Sequence, residues 1–116
     1  MLLDRQKYPN FRRDLKRVTK KHTRASNDIE LWESGLEKGP LLLFGDRIPG
    51  MPENFPVLWK FRIAIKSENI GQRGGLRMIC AERENVLEAL CLYCKGDQDA
   101  QPPVKEIEGW LVEGRG

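Results

Sequence analysis

Apolar and polar positions alternate most clearly between Trp59 and Lys66. Trp59, Phe61, Ile63 and Ile65 fall on one side, and Lys60, Arg62, Ala64 and Lys66 on the other. This two-residue period predicts a half-buried strand. Gly71–Gly75 reads as a turn-rich connector, and Leu76–Ala81 as the returning strand, with Leu76, Met78 and Cys80 opposite Arg77 and Ile79. A second turn at Glu82–Asn85 leads into Val86–Cys94, which is apolar at most positions and suits a strand covered on both faces. Upstream the period changes. Phe11, Leu15 and Val18 recur at i, i+4 and i+7 and predict a helix running to about Lys21, with Asn10 as a cap. Ile29, Trp32 and Leu36 form the stripe of a second helix, which the Asn27/Glu30 spacing opens in the manner of a capping box and Gly39–Pro40 stops. Residues 39–57 are broken by Gly and Pro throughout and read as loop, with Leu41–Phe44 touching the core. After Pro102–Pro103, Val104, Ile107 and Leu111 predict a short terminal helix.

These elements predict an α+β fold in one domain spanning residues 1–116: two N-terminal helices packed on a twisted antiparallel sheet, with a short C-terminal helix. Residues 1–10 form a short strand or an arm, 11–38 a helical hairpin, 57–95 the sheet and 103–112 the last helix. The length of 116 residues suits a single core. No apolar run approaches the ~20 residues that span a bilayer, so no membrane partner is expected. Charge arrives at once after Met1, which does not fit a secretory signal. Three cysteines are an odd count, too few for a disulfide framework, and fit a reducing, cytoplasmic setting.

Charge is distributed in blocks. Residues 1–24 carry nine Lys/Arg against two Asp/Glu, and residues 59–80 carry five against one. The intervening and final stretches, 25–58 and 81–116, are each net acidic. Two basic blocks separated by acidic ones point to positive patches suited to a polyanion or an acidic partner chain. For the first block alone, a solvated helix face is the simpler reading.

The strand residues carry the sharper signal. Lys60 and Arg62 lie about 7 Å apart on one side of their strand, Lys66 continues that side, and Arg77 enters from the neighbouring strand. Converging, they would form a cationic surface on rigid elements. Arg offers phosphate a fixed fork of donors, and Lys a mobile point charge. Like charges so close also lower the pKa of a lysine among them, easing its use as a base. An ordinary solvent face of a half-buried sheet accounts for the same residues equally well. Other candidates are weaker. Cys91 and Cys94 form a C-x-x-C, but residues three apart on a strand point to opposite faces, and His22 is the only histidine. A zinc site is therefore not expected, and the thiols read as core. His22 ends a lysine-rich helix, where an exposed or capping role fits. Gly71–Gly75 can cradle a phosphate in its amides, although most such runs are hairpin loops.

Three pieces taken together resemble the RelE/ParE toxin superfamily, and within it the HigB-like branch of RelE-type toxins. They are the basic-apolar-basic strand Leu58–Ala64, the G-x-R-G-G-x-R hairpin Gly71–Arg77, and a strand ending in Tyr-x-Lys at Tyr93, Cys94 and Lys95, followed by polar residues. The resemblance covers roughly residues 11–112. It implies a microbial RNase-like α+β fold and the toxin of a type II toxin–antitoxin pair. It further implies a metal-independent, ribosome-dependent mRNA endoribonuclease (mRNA interferase, a nuclease and hydrolase) in which a ribose 2′-OH attacks its own 3′ phosphate. Carried over by position, Lys60, Arg62 and Arg77 are the catalytic residues, and Lys95 falls near a basic residue that follows the last strand; Lys66, Arg73, Lys95 and Tyr93 are the RNA-binding candidates. Gly96 stands where some members have a second catalytic Arg, and the C-terminal Tyr of some members has no clear counterpart. No cofactor and no metal are implied. The implied partners are mRNA, the ribosome and a cognate antitoxin, a small helix-turn-helix DNA-binding protein. Two alternatives stand beside this reading: a ParE-type gyrase-directed toxin, and an inactive toxin-like binding module.

Overall fold

The computed structural model describes residues 1–38, 45–97 and 101–113. In chain order the elements are β1 (Leu2–Asp4), α1 (Pro9–Lys21), α2 (Ala25–Lys38), β2 (Asp46–Ile48), β3 (Val57–Ile63), β4 (Leu76–Arg83), β5 (Val86–Cys94) and α3 (Val104–Glu113), with a 3-10 turn at Lys66–Glu68. The five strands form one sheet in the order β1-β5-β4-β3-β2. The fold is α+β, but the sheet is mixed: β1 runs parallel to β5, pairing Leu2–Asp4 with Val86–Glu88, while the other pairs are antiparallel. The N-terminal residues are thus a strand, and the expectation of a purely antiparallel sheet is corrected. Antiparallel neighbours follow from short turns, whereas β1 reaches β5 only after most of the chain has intervened.

The alternation read from the sequence decides which side chains go where. Phe61, Ile63, Leu76, Met78, Cys80, Leu87, Ala89, Leu92 and Cys94 face α1 and α2, whose Phe11, Val18, Ile29 and Leu36 complete that core. The opposite face carries Leu58, Ile79, Ala81, Leu90, Cys91 and Tyr93, and α3 covers it with Ile107 and Leu111. Cys91 and Cys94 therefore sit in different cores, as their spacing required. A bulge between Ile79 and Cys80 pairs these neighbours with Cys91 and Ala89 and leaves Leu90 as the extra residue.

Several boundaries differ from the sequence expectation. α1 starts at Pro9, whose fixed φ and missing N–H suit a first helical position, with Tyr8 as the capping residue. α2 starts at Ala25, so Asn27 lies inside its first turn and forms no capping box. β2 occupies part of the stretch read as loop. β3 ends at Ile63, which leaves Lys66 on the 3-10 turn rather than on the strand. Leu41–Phe44, with the Gly39–Pro40 stop, lies outside the described residues.

Asn10 takes a role other than capping. β1 covers β5 only as far as Glu88, and the free edge beyond it is held by polar side chains of α1. Asn10 Nδ2 donates to the Leu90 carbonyl at 2.9 Å, the Leu92 N–H donates to Asp14 Oδ2 at 2.9 Å, and an Arg17 terminal nitrogen donates to the Leu92 carbonyl at 3.1 Å. An open strand edge is a template for unwanted pairing, and these three residues at i, i+4 and i+7 close it. Burial raises the pKa of Asp14, offset in part by the Leu92 N–H and by Arg17. Asp14→Leu leaves the Leu92 N–H without its acceptor, and urea titration should show a loss of about 1–3 kcal/mol. Asp14→Asn keeps an acceptor oxygen and should lose less. Equal midpoints for Asp14→Leu and the parent chain would remove this edge from the account.

Candidate nucleic-acid interface

The register of the central strands aligns the residues singled out from the sequence. Arg62 on β3 pairs with Arg77 on β4, and Arg77 pairs with Tyr93 on β5. Lys60, two residues before Arg62, is opposite Ile79 on one side and Asp46 of β2 on the other. Directly paired residues share a sheet face, with Cα atoms about 4.5–5.5 Å apart. Lys60, Arg62, Arg77 and Tyr93 therefore form one patch across three strands, on the face away from α1 and α2.

The two guanidinium groups differ in environment. Arg62 is exposed, and its Nε donates to Asp46 Oδ2 at 3.2 Å. Both side chains of that pair are about half exposed, at 52% and 51%. An ion pair in such a setting contributes only about 0–1 kcal/mol, so a phosphate can displace Asp46 from Arg62. Arg77 is only 6% exposed. One of its terminal nitrogens donates to the carbonyls of Gln72 at 2.7 Å and Leu76 at 3.2 Å, and the other to Arg73 at 3.0 Å. Two of its five N–H groups thus hold the Gly71–Gly75 loop and a third binds the Leu76 carbonyl at the start of β4, leaving Nε–H and one terminal N–H. Burial lowers its pKa, and the neighbouring Arg62 charge adds to the effect. Arg77 is thus not freely presented: it organises the loop beside Arg62.

The loop that Arg77 organises is tightly built. A Cβ on Gly75 would stand 2.3 Å from the Ile63 carbonyl oxygen and 2.9 Å from that of Gly71. The Lys95 N–H donates to the Gly75 carbonyl at 2.8 Å, which binds the end of β5 to the same loop. Arg73 is exposed on this loop, Lys95 is half-buried beside it, and Lys66 is exposed on the 3-10 turn. Those three border the patch without lying on its strand face. Tyr93 is buried, and burial, with Cys91 adding, raises its phenol pKa while Arg77 lowers it. Lys60 is half-buried and has no ion-pair partner among the described residues.

On α1, Arg12, Arg13, Lys16, Arg17, Lys20 and Lys21 are exposed, a second cationic surface on the other side of the sheet. Sequence reasoning missed Asp46, because a three-residue strand between glycine and proline carries no readable period. It also missed a polar cluster at the end of α1. His22 is buried at 6% exposure rather than exposed. Its Nδ1 lies 2.9 Å from both Glu68 carboxylate oxygens, and its Nε2 lies 3.1 Å from Asp97 Oδ2. The Glu68 hydrogen bond raises its pKa against the opposing effect of burial, and Asp97 adds to the rise. Nothing in the chain order brings residues 22, 68 and 97 together; only the tertiary fold does. Compared with known proteins, the chain matches no family model, no curated protein and no solved structure.

Proposed function

We propose that this chain is the toxin of a type II toxin–antitoxin pair of the RelE/ParE kind, acting as a ribosome-dependent mRNA endoribonuclease. The observation that carries the reading is the in-register patch of Lys60, Arg62, Arg77 and Tyr93 on three adjacent strands. Two N-terminal helices packed on a sheet that bears a basic strand further support it.

In this reading, a ribose 2′-oxygen attacks the adjacent phosphorus, its proton passes to a base, the P–O5′ bond breaks and the departing 5′ oxygen is protonated. The products are a 2′,3′-cyclic phosphate and a 5′-OH. Negative charge grows on the phosphate along this path, so fixed cations stabilise the transition state more than the ground state. Arg62 grips the phosphate after releasing Asp46. Arg77 offers its two remaining N–H groups and holds the loop. Lys60, which has no ion pair among the described residues, is the base or charge partner. Lys66, Arg73, Lys95 and the α1 cations steer the RNA, and the buried Tyr93 supports Arg77 from the neighbouring strand. The antitoxin partner would cover this basic face.

The experiment is controlled induction in cells with transcript ends mapped by primer extension. The reading expects arrest of translation with new 5′ ends inside coding sequences. Arrest accompanied by a DNA-damage response and intact transcripts would instead favour a gyrase-directed toxin. Binding to ribosomes with neither effect would favour an inactive binding module.

A further inference from the structure

Behind the cationic face, on the helix side of the sheet, three donors of different chemistry meet. His22 closes α1, Cys94 ends β5 and Asp97 stands in the turn that follows. One imidazole nitrogen, Cys94 Sγ and one Asp97 oxygen all lie within 4.8 Å of one another, and His22 and Cys94 are buried while Asp97 is exposed. Ligands about 2.0–2.3 Å from a tetrahedral zinc ion stand roughly 3.3–3.8 Å apart, so small side-chain shifts bring this set to the required spacing. We propose that His22 Nε2, Cys94 Sγ and Asp97 Oδ2 bind one divalent transition-metal ion, zinc by donor chemistry, with a water completing the shell on the exposed side.

The surroundings fit an ion in three ways. First, Nδ1 of His22 faces the Glu68 carboxylate at 2.9 Å. A carboxylate behind a histidine fixes its tautomer and leaves the other nitrogen as a ligand, the usual outer partnership of zinc histidines. Second, Lys21 Nζ holds Asp97 Oδ1 at 2.6 Å, while Oδ2 is the oxygen turned toward Nε2. Third, the charges close. The Cys94 thiolate and the Asp97 carboxylate neutralise a divalent ion, and Glu68 and Lys21 offset one another. The ion replaces the Nε2 proton of the imidazolium and the thiol proton, so two protons leave as it binds. Cys94 gives up little, since its thiol makes only a weak contact to the Gly74 carbonyl, at 3.6 Å, among the described residues.

The site clamps the end of α1 to the end of β5, directly beneath the loop that Arg77 holds. Its role is structural, and it stands or falls independently of RNA cleavage. The test is titration of the chelator-treated full chain with Co²⁺, then Zn²⁺ by competition. One equivalent of Co²⁺ should give a near-ultraviolet thiolate-to-metal band, and Zn²⁺ should displace it and raise the thermal midpoint. Cys94→Ser should abolish the band. Asp97→Asn, at an exposed position that keeps the fold, should weaken affinity at least ~10-fold, and Glu68→Ala by about 10–100-fold with the band retained. Absence of stoichiometric binding, or equal binding by the parent and Cys94→Ser, would show His22 to be only the centre of an ion-pair network and overturn the proposal.

Discussion

Lys60→Ala combined with Arg62→Ala should slow transcript cleavage by at least ~10²–10³-fold, the effect typical of losing a single preorganised donor to a developing oxyanion. The fold should survive this change. Lys60 has no ion pair among the described residues, and Arg62 is tied only to an exposed carboxylate. Removing both leaves no buried group without a partner, and surface changes of this kind stay within about ±0.5 kcal/mol. Rate and thermal midpoint measured on the same preparation separate the two effects: a large fall in rate with an unmoved midpoint is expected. Arg77→Ala should behave differently, losing cleavage and stability together, because its guanidinium binds two carbonyls of the Gly71–Gly75 loop and that of Leu76. Arg77→Lys keeps a charge but not the fork, and should recover little of either property. Full cleavage by the double variant would take the strand cations out of the chemistry.

The second large effect is at a residue with no side chain. Gly75→Ala puts a carbon into the space between the Ile63 and Gly71 carbonyl oxygens, where the closest approach would be 2.3 Å. Neither neighbour is the flexible tip of a side chain, so β3, β4 or the loop itself must shift. Overpacking of this kind costs typically about 1–3 kcal/mol, and more where backbone must move. Against the ~5–15 kcal/mol that stabilises a domain of this size, that is a large fraction. The Arg77 guanidinium would lose the carbonyls that orient it, so cleavage should fall as well. Gly71→Ala is the control, since a Cβ there meets nothing within 4 Å. Similar unfolding midpoints for Gly75→Ala and Gly71→Ala would show that the loop is looser than described.

The strands and helix stripes were legible because burial imposes a period. The alternation from Trp59 to Ile63 and from Leu76 to Cys80 assigned each side chain to its face, including Lys60, Arg62 and Arg77. The spacing of Phe11, Leu15 and Val18 and that of Val104, Ile107 and Leu111 located two helices. What escaped was short or non-local. Three-residue strands such as β1 and β2 complete no period, and the parallel pairing of β1 with β5 joins residues more than eighty positions apart. Register was hidden as well, so the juxtaposition of Arg62, Arg77 and Tyr93 emerges only from the assembled sheet. Arg77 shows the same limit at the level of one side chain. Its type and position suggested a phosphate ligand, but most of its donors serve backbone carbonyls that no spacing rule reveals. Asn10 reads from the sequence as a helix cap and Arg17 as part of a solvated face; with Asp14 they instead close a strand edge, because β1 is too short to cover β5.

In the proposed reading, the shared face of β3, β4 and β5 cleaves RNA by internal attack of a ribose 2′-OH. Its most direct measurement is end-group analysis of mRNA incubated with the purified chain and translating ribosomes. The expected fragments end in a 2′,3′-cyclic phosphate and begin with a 5′-OH, formed by the parent chain and lost with Lys60→Ala/Arg62→Ala. Intact mRNA with the folded parent chain, or fragments with 5′-phosphate ends, would contradict it.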